Sequence, residues 1–156
     1  MLDPAANAEV RPVPAVSAAV IKEGRILMVR RRNPPNAGML ALPGGKVEAG
    51  ESLRQAAARE LMEETGILAA PRRILTAIDL FDHDDAGLLR MHFIIVVVEL
   101  EWQGGMEAAA DDATELRWMD LEALEQGDGE VCDSALRVAR RVLAESMSAE
   151  NALKPD

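Results

Sequence analysis

Residues 45–67 read GKVEAGESLRQAAARELMEETGI, and the rest of the chain takes its meaning from them. Ser52, followed three residues later by Gln55, makes a capping box in which the hydroxyl accepts an early backbone N–H. Gly66 stands where the helix should end, because glycine takes the left-handed conformation without a Cβ penalty. Between the caps, Leu53, Ala56, Ala57, Ala58, Leu61 and Met62 are mostly strong helix formers. At roughly 100° per residue, Glu60, Glu63 and Glu64 fall within an arc of about 100° on one face. A glutamate-rich helix ordinarily turns such a face to solvent. Two features argue otherwise. Leu53, Ala56 and Ala57 lie in or beside the same arc, so the charged stripe is not opposite the apolar one. The like charges also sit near the helix C-terminus, where they repel one another and the macrodipole disfavours anions. A cation is needed to offset both effects, and Mg²⁺ is commonly held by a few carboxylates while it bridges to substrate phosphates.

The spacing is Gly45, five residues, Glu51, seven residues, Arg59-Glu60-Leu61, one residue, Glu63-Glu64, one residue, then Gly66 and Ile67. It resembles, without a deviation, the signature box of the Nudix hydrolases. The resemblance takes in the preceding Leu42-Pro43-Gly44-Gly45-Lys46-Val47-Glu48 and, less sharply, the order of elements over residues 14–146. Many members of the family carry Trp where this chain has Leu40, a departure that touches no ligand position. The resemblance implies an α/β protein with the Nudix fold, a mixed β-sheet sandwiched between helices as an α/β/α sandwich. It implies a loop, helix and loop that bind Mg²⁺ or Mn²⁺ and hydrolyse a nucleoside diphosphate linked to another group. On this reading Glu60 and Glu64 are the principal metal ligands and Glu63 contributes. Arg59 orients a box glutamate through an ion pair, with Glu51 as its partner. The family often adds a further carboxylate from a later loop, for which Glu107, Asp111 and Asp112 are the candidates here.

A chain of 156 residues suits one domain. The sequence divides into an N-terminal arm over residues 1–13, rich in Ala and Pro, a domain over 14–147 and a tail over 148–156 that should fray. With 17 basic against 27 acidic residues, the net charge of −10 argues against a nonspecific binder of nucleic acid or anionic membrane. Anionic substrates would have to be drawn in by local arginines and bound metal. The single Cys132 cannot form an internal disulfide and suits a reducing compartment. No run of 18 apolar residues and no signal-peptide pattern is present, so a cytoplasmic location is expected.

Outward from the box, residues 15–21 and 25–29 read as a hairpin about a turn at Lys22-Glu23-Gly24. Arg30-Arg31-Arg32-Asn33-Pro34-Pro35 is then a basic strand end entering a Pro-stiffened loop. Arg30 and Arg32 are the candidates for substrate contact, since the guanidinium fork matches phosphate oxygens. Gly44 and Gly45 permit close approach of backbone to a ligand. Residues 73–80 and 91–100 read as strands, with a polar turn over 81–87 between them. His83 is an exposed turn residue, and His92 receives no role. Trp102-Gln103-Gly104-Gly105 is expected to turn the chain into the acidic loop 107–112. Residues 115–119 form a strand with Trp118 in the core, residues 121–125 a short helix, and Asp133 or Ser134 caps a last helix. The stripe Leu136, Ala139, Val142 and Leu143 of that helix covers one face of the sheet.

Substrate identity rests on the resemblance alone. The loop over residues 32–38 leading into the box is most similar to ADP-ribose pyrophosphatase-like members, so ADP-ribose comes first. A proline that marks some ADP-ribose enzymes beyond the box is absent, there being no Pro between Pro71 and Pro155. The diadenosine polyphosphate branch is often marked by a downstream tyrosine, and this chain has none. The alternative within the class is a house-cleaning nucleoside triphosphatase acting on oxidised bases. The alternative outside it is a non-catalytic nucleotide sensor, which usually loses box carboxylates that are all retained here. Homodimers are common in the family, and the N-terminal arm offers a segment to exchange between protomers.

Overall fold

The computed structural model describes residues 9–127 and 129–153. Most of the expected arm, residues 1–8, and the end of the expected tail, residues 154–156, lie outside the described residues. The elements are β1 (Val13–Lys22), β2 (Arg25–Arg31), β3 (Leu40–Ala41), β4 (Gly44–Lys46), α1 (Leu53–Thr65), β5 (Ile67–His83), β6 (Leu89–Gly105), β7 (Ala113–Met119), α2 (Leu121–Gln126) and α3 (Asp133–Leu153).

The β1–β2 hairpin closes through Glu23 and Gly24, both with positive φ, 53° and 75°, the two-residue turn whose twist matches that of the strands. The hairpin then forks. β1 and β2 pair only at Ile21↔Ile26 and Lys22↔Arg25. Beyond that point the same edge of β2 takes β3, at Val29↔Ala41 and Arg30↔Leu40. The facing edge of β1 takes β4, at Ala15↔Lys46, Val16↔Gly45 and Ser17↔Gly44. Residues 40–46 therefore run down the fork, and the Ala18 N–H donates to the Pro43 carbonyl at 2.7 Å as they cross. The sheet has the order β3-β2-β1-β6-β5, with β7 on the outer edge of β2. It is mixed, because β1 and β6 are parallel while the other pairs are antiparallel.

Strand alternation divides the core between two faces. Leu27, Val16, Val98 and Ile67 pack with Ala56, Ala57 and Leu61 of α1. Ile26, Met28 and Val97 pack with Val138, Ala139, Val142 and Leu143 of α3, beside Leu124 of α2. This is the α/β/α sandwich expected from the resemblance. The start of α1 is the capping box read from the sequence: Ser52 Oγ accepts the Gln55 N–H at 3.1 Å and the Gln55 side chain accepts the Ser52 N–H at 2.9 Å. Its end is Gly66 in the left-handed conformation, φ 72°, donating to the Met62 carbonyl.

Two sequence expectations are corrected. Trp102-Gln103-Gly104-Gly105 does not turn the chain; it extends β6, and Gly105, Gly104 and Trp102 pair with Ile67, Leu68 and Ala69. The apparent breaks at Pro71-Arg72-Arg73 and at the paired glycines are absorbed by register shifts, so each strand of this hairpin runs 17 residues. Likewise Phe81 to His83 belong to β5, and the turn is confined to residues 84–88, where Asp84 Oδ1 accepts the N–H groups of Ala86 and Leu88 at 2.9 Å. Helix α3 continues past Ser148 to Leu153, its last turn exposed. No helix among the described residues is long and apolar enough to cross a membrane.

Leu61 is fully buried between α1 and the sheet, whereas its neighbour Met62 is 38% exposed. Leu61→Ala should lower the unfolding free energy by about 2–5 kcal/mol. Met62→Ala should cost no more than about 0.5 kcal/mol, as measured by urea unfolding.

Candidate active site

The last two turns of α1 carry the charged cluster, and one guanidinium organises it. Arg59 meets Glu51 in a bidentate pair, Nε to Oε2 at 2.6 Å and Nη2 to Oε1 at 2.8 Å. The same group donates to Glu60 Oε1 at 2.9 Å, to Glu63 Oε2 at 3.2 Å and to the carbonyl of Lys46 at 3.1 Å. The Arg59 pair and the Glu48 N–H hold the Glu51 carboxyl down at about 2, and Glu51 in turn raises the pKa of Arg59. Glu60, with a side chain only 15% exposed, is pushed up by burial against the opposing pull of Arg59.

Glu64 differs from its neighbours. It is 3% exposed, and Oε2 accepts the Gly44 N–H at 3.2 Å. Burial pushes its carboxyl up to about 8, Glu60 and Asp112 add to the rise, and the Gly44 N–H and Arg31 oppose it. Glu63, by contrast, faces solvent with a side chain 45% exposed. The helical arc thus resolves into an inward Glu64, a half-buried Glu60 and an outward Glu63.

The two glycines before the helix serve different contacts. A Cβ on Gly45 would stand 2.5 Å from Cδ of Glu60, and one on Gly44 would run into the Val16 carbonyl. Strand β4 can pair with β1 and still approach the carboxylates only without side chains at these positions.

The acidic loop hangs from the end of α1, where Ala108 and Ala110 N–H groups donate to the Thr65 and Glu64 carbonyls at 2.9 Å. These bonds satisfy carbonyls that a helix terminus leaves unpaired, and they deliver Asp112 to the cluster. Asp112 Oδ2 lies 3.4 Å from Nη1 of Arg31, and Oδ1 accepts the Asn33 N–H at 2.9 Å. Arg31 also donates to the carbonyls of Pro35 at 2.8 Å and Asn33 at 3.4 Å, tying the Pro-stiffened loop to the acidic one. Gly44, Gly45, Glu60, Glu64, Arg31 and Asp112 face a shared cavity of about 390 Å³.

Other sequence candidates fall elsewhere. Arg30 does not reach the cavity: Glu115 at 2.6 Å, Glu130 at 3.3 Å and the Gly38 carbonyl at 2.8 Å occupy its guanidinium. Arg32 is exposed and contributes only its backbone N–H, to the Asp112 carbonyl at 2.8 Å. Arg31, between them, is the arginine that lines the cavity, and it follows a register shift between Arg30 and Arg31 in the pairing of β2 with β7. Among the three later carboxylates, Glu107 is taken by Trp118 Nε1 at 3.1 Å, and Asp111 is an exposed turn residue with φ 53°. Asp112 alone of them lines the cavity. Lys46, unnoticed in the sequence, also lines it, and its signal was its place directly after the two glycines. His83 is exposed, and His92 Nε2 sits 3.0 Å from Asp79 Oδ1, away from the cluster.

Residues 11–137 match the family model described as the NUDIX domain. The ADP-ribose pyrophosphatase of Methanocaldococcus jannaschii is 39% identical over 113 residues, covering 72% of this chain. The chain spans 64% of that relative's length. Among solved structures, the bifunctional NMN adenylyltransferase/ADP ribose pyrophosphatase of Francisella tularensis, complexed with AMP and a Mn ion, superposes with a TM-score of 0.70 at 28% identity. That likeness covers 86% of this chain and 42% of the other. The MutT NUDIX hydrolase of Burkholderia pseudomallei superposes with a TM-score of 0.68 at 29% identity, over 83% of this chain and 95% of that one. Box, fold and family model agree, and the chain belongs to the Nudix family.

Proposed function

We propose that the chain is a divalent-metal-dependent pyrophosphohydrolase that cleaves the diphosphate bridge of a nucleoside diphosphate linked to another group, with ADP-ribose the favoured substrate. The observation that carries this reading is the buried Glu64 beside Glu60 on the wall of a cavity that also presents glycine backbone, Arg31 and Lys46. The 39% identical relative and the F. tularensis neighbour are both described as ADP-ribose pyrophosphatases, which favours ADP-ribose.

The donor set suits Mg²⁺ or Mn²⁺. Among the described residues no three His, Cys, Asp or Glu side chains are grouped so as to hold a metal ion. Mg²⁺ ordinarily takes one or two carboxylates together with water and substrate phosphate, so Glu60 and Glu64 are sufficient protein ligands. A buried carboxyl pushed up to about 8 by burial and by two neighbouring carboxylates is a group that a cation would stabilise in its charged form. When bound, the divalent ion supplies positive charge for the bridging oxygens and lowers the pKa of water beside it.

The chain's own residues supply the rest. Glu60 and Glu64 would hold the ion; Glu63, pinned by Arg59, would reinforce the negative field from the solvent side. Arg59 touches no substrate in this scheme. It fixes Glu60 on one side and the Lys46 backbone on the other, with Glu51 anchoring the guanidinium. Gly44 and Gly45 let the diphosphate approach the backbone, while Arg31 and Lys46 attract its oxygens. Water attacks phosphorus, a phosphate ester leaves, and a cavity carboxylate takes the water's proton. A homodimer is the corresponding proposal for assembly.

The direct test is phosphate-ester release from a panel of nucleoside diphosphate derivatives and triphosphates, with and without Mg²⁺ or Mn²⁺. Metal-dependent cleavage of ADP-ribose is expected. Glu64→Gln and Gly45→Ala should each lower kcat, the first by about 10²-fold or more, with circular dichroism unchanged. Cleavage of triphosphates alone would move the substrate to the house-cleaning class; tight nucleotide binding with no cleavage would establish a sensor. Near-normal turnover by Glu64→Gln at saturating Mg²⁺ would overturn the assignment of that residue.

The raised pKa of Glu64 also predicts a pH dependence in the metal-free protein. The folded state holds a proton on this carboxyl that the unfolded chain releases near its ordinary value of 4.5. Stability should therefore fall as pH rises from about 5 to about 8, with a slope of at most about 1.4 kcal/mol per pH unit from this group. Chemical denaturation in EDTA across that range should show the fall, and Glu64→Gln should flatten it.

A further inference from the structure

Two arginines and two glutamates form a closed ring on the face of the sheet that α3 covers. Arg30 of β2 and Glu115 of β7 are Cα partners, and Arg117 lies two residues farther along β7, so all three share one face. Met28, the Cα partner of Arg117, belongs to the core beneath α3. Arg30 Nε donates to Glu115 Oε2 at 2.6 Å, and Arg117 Nη2 donates to Glu115 Oε1 at 2.6 Å. Glu130 closes the ring: its Oε1 accepts from Arg30 Nη2 at 3.3 Å and its Oε2 from Arg117 Nη1 at 3.0 Å. None of the four residues lines the cavity.

Glu130 opens the segment that leads into α3. Its carbonyl accepts the Leu40 N–H at 2.7 Å, and the Leu40 carbonyl accepts the Cys132 N–H at 2.9 Å. This pairing is a single parallel bridge, Leu40↔Val131, so no ladder fixes its register. Val131 and Ala135 are buried, but the burial of apolar surface has no direction of its own. The two guanidiniums supply that direction by holding both oxygens of Glu130. Just beyond, Cys132, Ser134, Ala135 and Val138 line the same cavity as Glu60 and Glu64.

We infer that this ring positions the cavity wall at the start of α3 and so governs how tightly substrate is held. The inference rests on the reading of that cavity as the substrate site. It makes Arg30, Arg117, Glu115 and Glu130 positioning residues that act from behind the wall. The carboxylates proposed to hold the metal come from α1, and Gly44 and Gly45 from β4. A displaced wall therefore weakens substrate and transition state alike, which raises KM and leaves kcat in place.

Cys132, the single cysteine of the chain and 6% exposed, reports on the wall directly. Its alkylation by iodoacetamide can be followed by mass spectrometry on the full chain. Glu130→Ala should speed alkylation about three- to tenfold, because two partly exposed ion pairs no longer hold the segment closed. The same variant should raise KM for ADP-ribose in Mg²⁺ by a similar factor, with kcat within about twofold of wild type. Glu130→Gln keeps an acceptor oxygen for one guanidinium and should fall between the two. Glu145→Ala is the control. Glu145 also meets two arginines, Arg73 at 2.6 Å and Arg141 at 3.1 Å, but farther along α3, and its loss should move neither quantity. Alkylation from about pH 7 to about pH 9 separates access from thiol ionisation, and thermal unfolding shows that each variant is folded. The inference is overturned if a folded Glu130→Ala keeps the wild-type alkylation rate, if its loss appears in kcat with KM unchanged, or if Glu145→Ala matches it. The expected alkylation pattern without hydrolysis of any nucleotide would remove the hydrolase reading and leave the ring in its role. Hydrolysis of ADP-ribose with alkylation and KM indifferent to Glu130 would do the reverse.

Discussion

The Arg59 guanidinium ties together three segments: the loop before α1 through Glu51, the helix through Glu60 and Glu63, and β4 through the Lys46 carbonyl. Surface ion pairs are individually weak, but this one is bidentate, partly buried and shared, so its value lies in geometry. Glu60 is held between that guanidinium and the bare backbone of Gly45, where a methyl group would collide with the carboxylate. Glu64 needs no such clamp. Burial and the Gly44 N–H fix it, at the expense of a carboxyl whose ionisation burial opposes.

The fork between β1 and β2 is what allows a helix on one face of the sheet to serve a cavity that opens toward the other. Had the hairpin stayed paired along its length, residues 40–46 would have had no edge to occupy. Because β3 and β4 fill the gap with two glycines at its narrowest point, Glu60 and Glu64 reach the cavity past the backbone. The same fork brings the Arg31–Asp112 pair to the rim, so two loops from opposite ends of the sequence close around the cluster.

How much of this the sequence disclosed depends on how local each cause was. The capping box, the left-handed Gly66 and the box spacing are settled within a few residues, and α1 appears where its side chains place it. The arginine run was harder, because the choice between Arg30 and Arg31 turns on a register shift between them in the β2–β7 pairing, which only the assembled sheet provides. In the acidic loop Glu107, Asp111 and Asp112 look equivalent until Trp118 claims the first and Arg31 the last. The long hairpin was misread at Pro71-Arg72-Arg73 and Gly104-Gly105, since residues that break a regular strand are tolerated wherever a register shift takes up the strain. Residues 91–100 read as a strand in the sequence, but their relation to the glutamates follows from the β1–β6 pairing.

That parallel pairing has a temporal consequence. Val13 meets Phe93 and Ile21 meets Glu101, so every contact in the seam joins positions eighty residues apart. A contact of that range closes a large loop before it returns any free energy, which makes the seam a late and slow event in folding. During synthesis, the box helix and its glycines emerge well before their neighbour on the other side of β1. The cavity beside the glutamates is complete only once β6 has joined β1, because Met91, Phe93, Ile95 and Val97 of β6 line it together with Glu60 and Glu64.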